Sequence, residues 1–231
     1  MAFNDGDFVK VDYSAWRAAD SKLIYTTMRK VAEDNKEVDK DARYVPQLIV
    51  IGKGNAIKGV EEAVRGMNVS ETKKVELAPK DAFGEKDSSL VKVMPLSDFK
   101  KREIDPYPGM QLDIDGAVAI VKSVSSGRVI VDANHPLAGE KMVYEIRIIE
   151  KVDKDEDRIR ALADTYGVSA DSVAVSNGNA RVLFGEKVEK DSKYLVNKSD
   201  FVNAVLRYMD KISKVTVEED YVRKKAEEKG S

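Results

Sequence analysis

A short apolar strand that runs through a glycine-rich turn into a helix is the feature that most constrains this fold. The strand and turn read VPQLIVIGKGNAIKG over residues 45–59. Apolar residues then recur at the helical spacing i, i+3, i+4 and i+7, as Val60, Ala63, Val64 and Met67. Glu61 and Glu62 occupy the first turn, where they favour the helix dipole, and Gly66 lies near the end. The pattern predicts a short amphipathic helix.

Alternating apolar runs predict several strands around this helix. Residues 8–16 alternate, so that Val9, Val11 and Tyr13 share one face. Residues 110–134 contain three such runs, separated by the turn signals Asp115-Gly116 and Ser125-Ser126-Gly127. This stretch predicts a small β-rich unit, and residues 142–152 predict a long strand after it.

The last third of the chain has a different pattern, after a charged stretch at 151–157 that is typical of a linker. Asn177-Gly178 predicts a hairpin within residues 172–184. Helical spacing precedes it from Ile159 to Tyr166, and a second helix is predicted over 199–212 with Ser199 as N-cap. A strand at 214–222 completes the order α-β-β-α-β, which predicts a small α+β domain.

Composition excludes several classes of protein. The chain has no cysteine, so disulfides and zinc–thiolate sites are excluded. The net charge of −2 gives no reason to expect a nucleic-acid partner. The first residues do not resemble a signal peptide, and no apolar run approaches the roughly 20 residues that span a bilayer. We expect a soluble, cytoplasmic protein.

Two motifs resemble ligand-binding loops but are incomplete. GKGNAIKG, at 52–59, has P-loop glycine spacing, but Val60-Glu61 follows where Lys-Ser/Thr is needed. DIDG, at 113–116, resembles the start of a calcium loop but lacks the later ligands. The hypothesis of a nucleotide- or calcium-dependent enzyme therefore depends only on these incomplete motifs.

The only histidine, His135, lies in the run NHPLAG at 134–139. A Ser-His-Asp triad is possible in principle, but no nucleophile-elbow motif accompanies it. Asn134 tolerates left-handed backbone and Pro136 restricts the residue before it, which is typical of a turn. We favour the turn interpretation over a catalytic or metal-ligating histidine.

Three runs together resemble the FKBP-type peptidyl-prolyl isomerases, and more narrowly the SlyD-like branch with an insert-in-flap chaperone domain. The runs are IGKGNAIKGVEEAVRGM at 51–67, PKDAFG at 79–84 and NHPLAG at 134–139. The resemblance covers residues 6–153, and NHPLAG matches the family's return from insert to isomerase domain. The C-terminal extension resembles that of the long archaeal members by element order.

The resemblance implies an antiparallel half-barrel wrapped on the short helix, with an apolar cleft between helix and sheet. It implies catalytic positions at Tyr13, Ile57, Val60, Phe83 and Tyr144, with the Ile57 backbone N–H as a donor. It implies substrate contacts at Tyr25, Ala56, His135 and Leu137. No cofactor and no metal are implied, because the SlyD-like metal-binding tail is absent.

The predicted division is a discontinuous isomerase domain (1–86 and 134–153), an insert (87–133) and a C-terminal α+β domain (154–231). We expect an isomerase and folding chaperone that acts on unfolded or nascent proline-containing chains, with a possible homodimer through the C-terminal domain.

The alternative is a chaperone or peptide-binding module with weakened isomerase activity. Three departures from the family pattern favour it. Tyr25 replaces the usual cleft aspartate, Phe83 lacks the usual tyrosine hydroxyl, and Gln47 replaces a large apolar residue.

Overall fold

The alternating strand predicted near the N-terminus is central to a five-stranded sheet in the computed structural model, which describes residues 3–114, 116–185 and 191–221. The strands are β1 (Phe8–Arg17), β2 (Leu23–Thr26), β3 (Gln47–Val50), β4 (Thr72–Leu77), β5 (Val91–Pro95), β6 (Gln111–Ile114), β7 (Ala117–Ser125), β8 (Arg128–Asp132), β9 (Met142–Val152), β10 (Ser172–Ser176), β11 (Asn179–Phe184) and β12 (Lys214–Glu219). The helices are α1 (Arg29–Asp34), α2 (Lys58–Arg65), α3 (Leu96–Lys100), α4 (Asp155–Thr165) and α5 (Ser192–Tyr208).

The chain divides into two compact units. The first contains Met1–Trp16, Leu23–Val75 and Tyr144–Ser231, and the second contains Arg17–Lys22 and Glu76–Val143. The mixture of sheets and helices confirms the predicted α+β class, and the largest described sheet is open.

The five-stranded sheet has the order β2-β1-β9-β4, with β3 paired to β1. The antiparallel register sets Val9 opposite Ile49 and Lys10 opposite Leu48. Because side chains alternate along a strand, Val9 and Ile49 face one side of the sheet, while Lys10 and Leu48 face the other. The helix α2 confirms the predicted helix and buries Val60 and Val64.

The opposite face of this sheet shares a hydrophobic core with the C-terminal segment. Phe8, Leu48, Val50 and Val152 cluster with buried residues of α4 and α5 and of the small sheet β10-β11-β12. The predicted order α-β-β-α-β is confirmed, and so is the hairpin, whose Asn177 has φ +50°. The segment is thus packed on the sheet that contains β1 and β3.

Two predictions about the C-terminal segment were wrong. The expected linker at 151–157 is mostly regular structure, since β9 runs to Val152 and α4 begins at Asp155. The second helix begins at Ser192 rather than Ser199, because the Asp191 carboxylate caps it by accepting a hydrogen bond from the Tyr194 N–H at 2.7 Å. Asp115 of the predicted turn, and Val222 at the end of the predicted last strand, lie outside the described residues.

The second unit contains a four-stranded antiparallel sheet of order β5-β8-β7-β6. Its small core comprises Phe99, Ala119, Val121, Val129 and Val131. The Asp113 carboxylate accepts the Gly116 N–H at 2.9 Å, so the described part of DIDG forms a hairpin turn between β6 and β7. In the part of the chain that the structure describes, no helix is long and apolar enough to cross a membrane.

Candidate active site

A pocket of about 60 Å³ lies where strands β1, β3 and β9 meet the start of α2 in the first unit. Its lining residues are Tyr13, Gln47, Leu48, Ile49, Asn55, Ala56, Ile57, Val60 and Tyr144. Five of these were predicted site residues: Tyr13, Ala56, Ile57, Val60 and Tyr144. We call this pocket the cleft. Tyr13 reaches it because it has the same strand parity as the buried Val9 and Val11.

Three tyrosines form an aromatic row across neighbouring strands of the sheet. The Tyr13 ring centroid lies 5.9 Å from that of Tyr144 on β9 and 5.3 Å from that of Tyr25 on β2, both rings being tilted. Tyr144 is almost fully buried, whereas Tyr25 is 41% exposed and does not line the cleft. Tyr25 therefore continues the aromatic row beyond the cleft, towards the solvent.

The lining of the cleft includes the backbone N–H of Ile57, a donor for which the described residues supply no partner. Ile57 is the residue before the first turn of α2, and its carbonyl accepts the Glu61 N–H at 2.9 Å. Among the described residues, no hydrogen bond is made by the Ile57 N–H itself. Such a donor is available to hold a ligand carbonyl at the mouth of an apolar site.

The cleft is electrically neutral. None of its lining residues is an acid, a lysine, an arginine or a histidine. Burial raises the pKa of Tyr13, with smaller contributions from Tyr25 and Tyr144, and burial raises the pKa of Tyr144 to about 12. Both phenols are therefore un-ionised at neutral pH, and the lining offers no group that titrates there.

The other three predicted site residues, Phe83, His135 and Leu137, belong to the second unit. The Phe83 and His135 rings stack with centroids 4.6 Å apart and planes 3° apart. His135 Nδ1 accepts the Leu137 N–H at 3.1 Å, and its carbonyl accepts the Ala138 N–H at 2.8 Å. The predicted turn is confirmed, although Asn134 is not among the residues with positive φ and Gly139 supplies the left-handed backbone instead, at φ +81°.

Sequence reasoning missed three residues of the lining: Leu48, Ile49 and Asn55. The two apolar residues were identified as a strand but not as a wall of the cleft. Asn55 offered one usable signal, a polar residue between a buried strand and a helix in a glycine-rich loop. In the described part of the chain, no group of three or more acidic, histidine or cysteine side chains is arranged to hold a metal ion.

The second unit has a groove of its own, of about 250 Å³, which we call the insert groove. It is lined by Met94, Asp98, Phe99, Arg102, Ile104, Leu112, Asp113 and Ile114. Exposed apolar side chains also lie on this unit, with Val93, Tyr107 and Val118 at least 60% exposed.

Comparison with known proteins connects this geometry to a family. Residues 1–100 match the family described as "FKBP-type peptidyl-prolyl cis-trans isomerase", and residues 92–137 match that described as "FKBP26, IF domain". A "Short-type peptidyl-prolyl cis-trans isomerase" of Methanocaldococcus jannaschii is 36% identical over 143 residues, which span 62% of this chain and 90% of that protein.

Proteins named SlyD are also similar to this chain. That of Helicobacter pylori is 28% identical over 127 residues, or 54% of this chain and 69% of the relative. That of Escherichia coli strain K12 is 28% identical over 131 residues, or 55% of this chain and 66% of the relative. These similarities place the chain in the class of peptidyl-prolyl isomerases. The chain belongs to the FKBP-type peptidyl-prolyl cis-trans isomerase family.

Proposed function

We propose that this isomerase turns the X–Pro bond in the cleft formed by Tyr13, Ile57, Val60 and Tyr144, with Ala56 and Tyr25 as further substrate contacts. The observation that carries the proposal is a neutral lining, in which apolar and aromatic side chains outnumber Gln47 and Asn55, together with a backbone N–H of Ile57 that has no partner in the described chain. Its substrates are polypeptides, and unfolded or nascent proline-containing chains are the proposed class.

The reaction needs no proton transfer. Rotation about the X–Pro bond has a barrier of about 18–20 kcal/mol, because amide resonance is lost in the twisted state. The twisted amide is less dipolar than the planar one, so a pocket that removes water favours the twisted form relative to the planar form. The Ile57 N–H holds the carbonyl while the aromatic wall of Tyr13 and Tyr144 excludes water.

Phe83 as a catalytic position, and His135 and Leu137 as substrate contacts, are proposed on the basis of the resemblance alone. Their stacked and hydrogen-bonded turn supplies apolar surface rather than an acid or a base. Substituting Phe83 and Leu137 by alanine, one at a time, tests this role through the KM of a proline peptide. An unchanged KM in both variants removes them from the site.

The second proposed activity is capture of unfolded chains by the insert, taken as residues 87–133 between the two parts of the isomerase domain, 1–86 and 134–153. The insert groove and the exposed Val93, Tyr107 and Val118 support it. A chain held on the insert meets the cleft as an intramolecular partner, which raises its effective concentration.

We also propose that residues 154–231, the C-terminal α+β domain, pair with a second copy. The strand β12 lies at an edge of its sheet, and the α5 side chains Leu195, Val196 and Leu206 are more than 40% exposed. Light scattering of the full chain tests this: a dimer mass at tens of micromolar is expected, and a monomer mass contradicts it.

One experiment distinguishes a protein that is both isomerase and chaperone from a chaperone with a weakened isomerase site. Isomerisation of a proline peptide is followed beside the suppression of aggregation of an unrelated unfolded protein. We expect faster isomerisation of the peptide and reduced aggregation of the unfolded protein. Suppression of aggregation without measurable isomerisation would reverse the assignment in favour of the chaperone.

A further inference from the structure

Asn55 lies in the loop between β3 and α2, two residues before Ile57, and its side chain binds back to the strand. The Asn55 Oδ1 accepts the Val50 N–H at 2.9 Å, and the Nδ2 donates to the Leu48 carbonyl at 2.9 Å. One residue of a neighbouring parallel strand makes the same two bonds, to the carbonyl of residue i and to the N–H of residue i+2. Since the other edge of β3 pairs with β1, the carboxamide takes the place of the next strand at the open edge.

The strand to which Asn55 binds is firmly held. The Leu48 and Val50 side chains are 6% and 0% exposed, and both belong to the core that the sheet shares with α4 and α5. A closely packed core of this kind resists displacement. The two hydrogen bonds therefore fix the loop to one of the best-packed strands of this unit.

The loop itself contributes little rigidity. Gly52 and Gly54 adopt φ angles of +78° and +67°, so the turn depends on residues that are the most conformationally free when unconstrained. The Glu61 Oε1 accepts the Gly52 N–H at 2.8 Å, which holds the start of the loop. Asn55 holds its second half, and that half carries the Ile57 N–H.

We propose that Asn55 is a positioning residue of the isomerase site. It acts through the backbone, by holding the segment 55–57 on β3 so that the Ile57 N–H is directed into the cleft before substrate arrives. This role rests on the proposed function of Ile57 as the donor to the substrate carbonyl. An error of about 1 Å in the position of such a group can cost up to about a hundredfold in rate.

The test combines kinetics with amide exchange in the full chain. We expect Asn55→Ala to lower kcat about tenfold with KM changed by less than about twofold, since the lost interaction matters most in the transition state. The Val50 amide should lose protection against hydrogen exchange, and the Ile57 amide resonance should shift. The matched control is Asn68→Ala, which removes the bond to the Glu71 carboxylate at 3.1 Å in a loop that does not line the cleft.

A second variant keeps the inference testable where the alanine variant does not fold. In Asn55→Asp the acceptor for the Val50 N–H remains, but the donor to the Leu48 carbonyl is lost. We expect a protected Val50 amide and a kcat that is lower than that of wild type by less than about tenfold. A normal kcat together with an unprotected Val50 amide in Asn55→Ala overturns the proposal, and so does a lowered kcat with unchanged Val50 and Ile57 amides.

A variant of the aromatic wall separates this inference from the proposed function. If only the role of Asn55 is wrong, Tyr144→Leu still lowers turnover while Asn55→Ala does not. If the cleft is wrongly placed, both variants turn over proline peptides normally.

Discussion

Asn134 binds both backbone groups of Asp87, a residue 47 positions earlier in the chain. The Asn134 Oδ1 accepts the Asp87 N–H at 2.8 Å, and the Nδ2 donates to the Asp87 carbonyl at 2.9 Å. The same amide donates to the Asp132 carboxylate at 2.8 Å. The Asn134 side chain thus joins the two ends of the segment between Asp87 and Asn134. These ends coincide with the proposed ends of the insert.

This closure predicts that the insert can be removed. Replacement of residues 88–133 by a short glycine–serine loop retains Asp87 and Asn134, so the ends remain within hydrogen-bond distance. We expect short proline peptides to be turned over within about threefold of wild type, while refolding of a long proline-limited protein slows about tenfold or more as tethering is lost. Protease-coupled peptide assays and refolding kinetics measure the two. An equal loss on both substrates would place the insert inside the active site.

The aromatic wall predicts a loss of turnover on truncation of Tyr144. Tyr144→Ala should lower kcat/KM at least about tenfold, which corresponds to about 1.4 kcal/mol of transition-state stabilisation. Because truncating a buried aromatic side chain can cost about 3–5 kcal/mol of stability, Tyr144→Leu serves as the milder variant. Tyr144→Phe is the control that keeps the ring. Normal turnover in folded Tyr144→Leu means that the pocket is elsewhere.

His135 is predicted to act through shape rather than proton transfer. His135→Phe keeps an aromatic ring to stack on Phe83 but removes both nitrogens, and kcat/KM should stay within about threefold of wild type. General acid–base groups typically contribute about 10²–10⁴-fold, so a loss of that size contradicts the turn interpretation. His135→Ala, which removes the stack as well, shows what the turn contributes to stability.

Glu219 predicts an acid-sensitive contribution to the stability of the first unit. Its carboxylate accepts bonds from Tyr194 (2.6 Å), Lys198 (2.7 Å) and Tyr221 (2.8 Å). Burial by itself raises the pKa, but these partners outweigh burial and lower the pKa of Glu219 to about 2. Since the unfolded value is about 4.3, the stabilisation is complete above that pH and is lost as pH falls towards about 2.

The measurement is urea unfolding of wild type and Glu219→Gln at several pH values. We expect wild type to be more stable by roughly 1–2 kcal/mol at pH 7, with the difference shrinking as pH falls through about 4. Glu218→Gln, a neighbour that pairs with Arg181 at the surface, is the control. A difference that is independent of pH contradicts the role of the charged carboxylate.

The elements that periodicity determines could be predicted from the sequence. The alternation of Val9, Val11 and Tyr13 and the spacing from Val60 to Met67 depend only on which residues are apolar. The prediction that Tyr13 and Val60 line one pocket needed the family resemblance. No local pattern indicates which strand packs against which helix.

The misplaced boundaries have physical reasons. Charged residues at 151–157 resembled a linker, yet solvent-facing positions of β9 and the first turn of α4 also favour charge. Asp155, Glu156 and Asp157 occupy that first turn, where they complement the helix dipole. Ser199 was chosen as a cap because it precedes an apolar run, whereas the cap in the structure, Asp191, lies about two helical turns earlier.

Long-range polar contacts left no trace in the sequence. Lys53 binds the Asp210 carboxylate at 3.0 Å across 157 positions, and Asn55 bonds to the edge of β3 through a loop whose geometry depends on glycine. A side chain that replaces a missing strand can be recognised only after the sheet and its open edge are known.

Exchange NMR of a proline peptide with the isotopically labelled full chain reports both the isomerisation and the residues at which it occurs. We expect accelerated cis–trans exchange of the peptide together with shifts of the Ile57 amide and of resonances of Tyr13, Val60 and Tyr144. Accelerated exchange with unperturbed resonances at all four residues, or no acceleration with a folded protein, would contradict it.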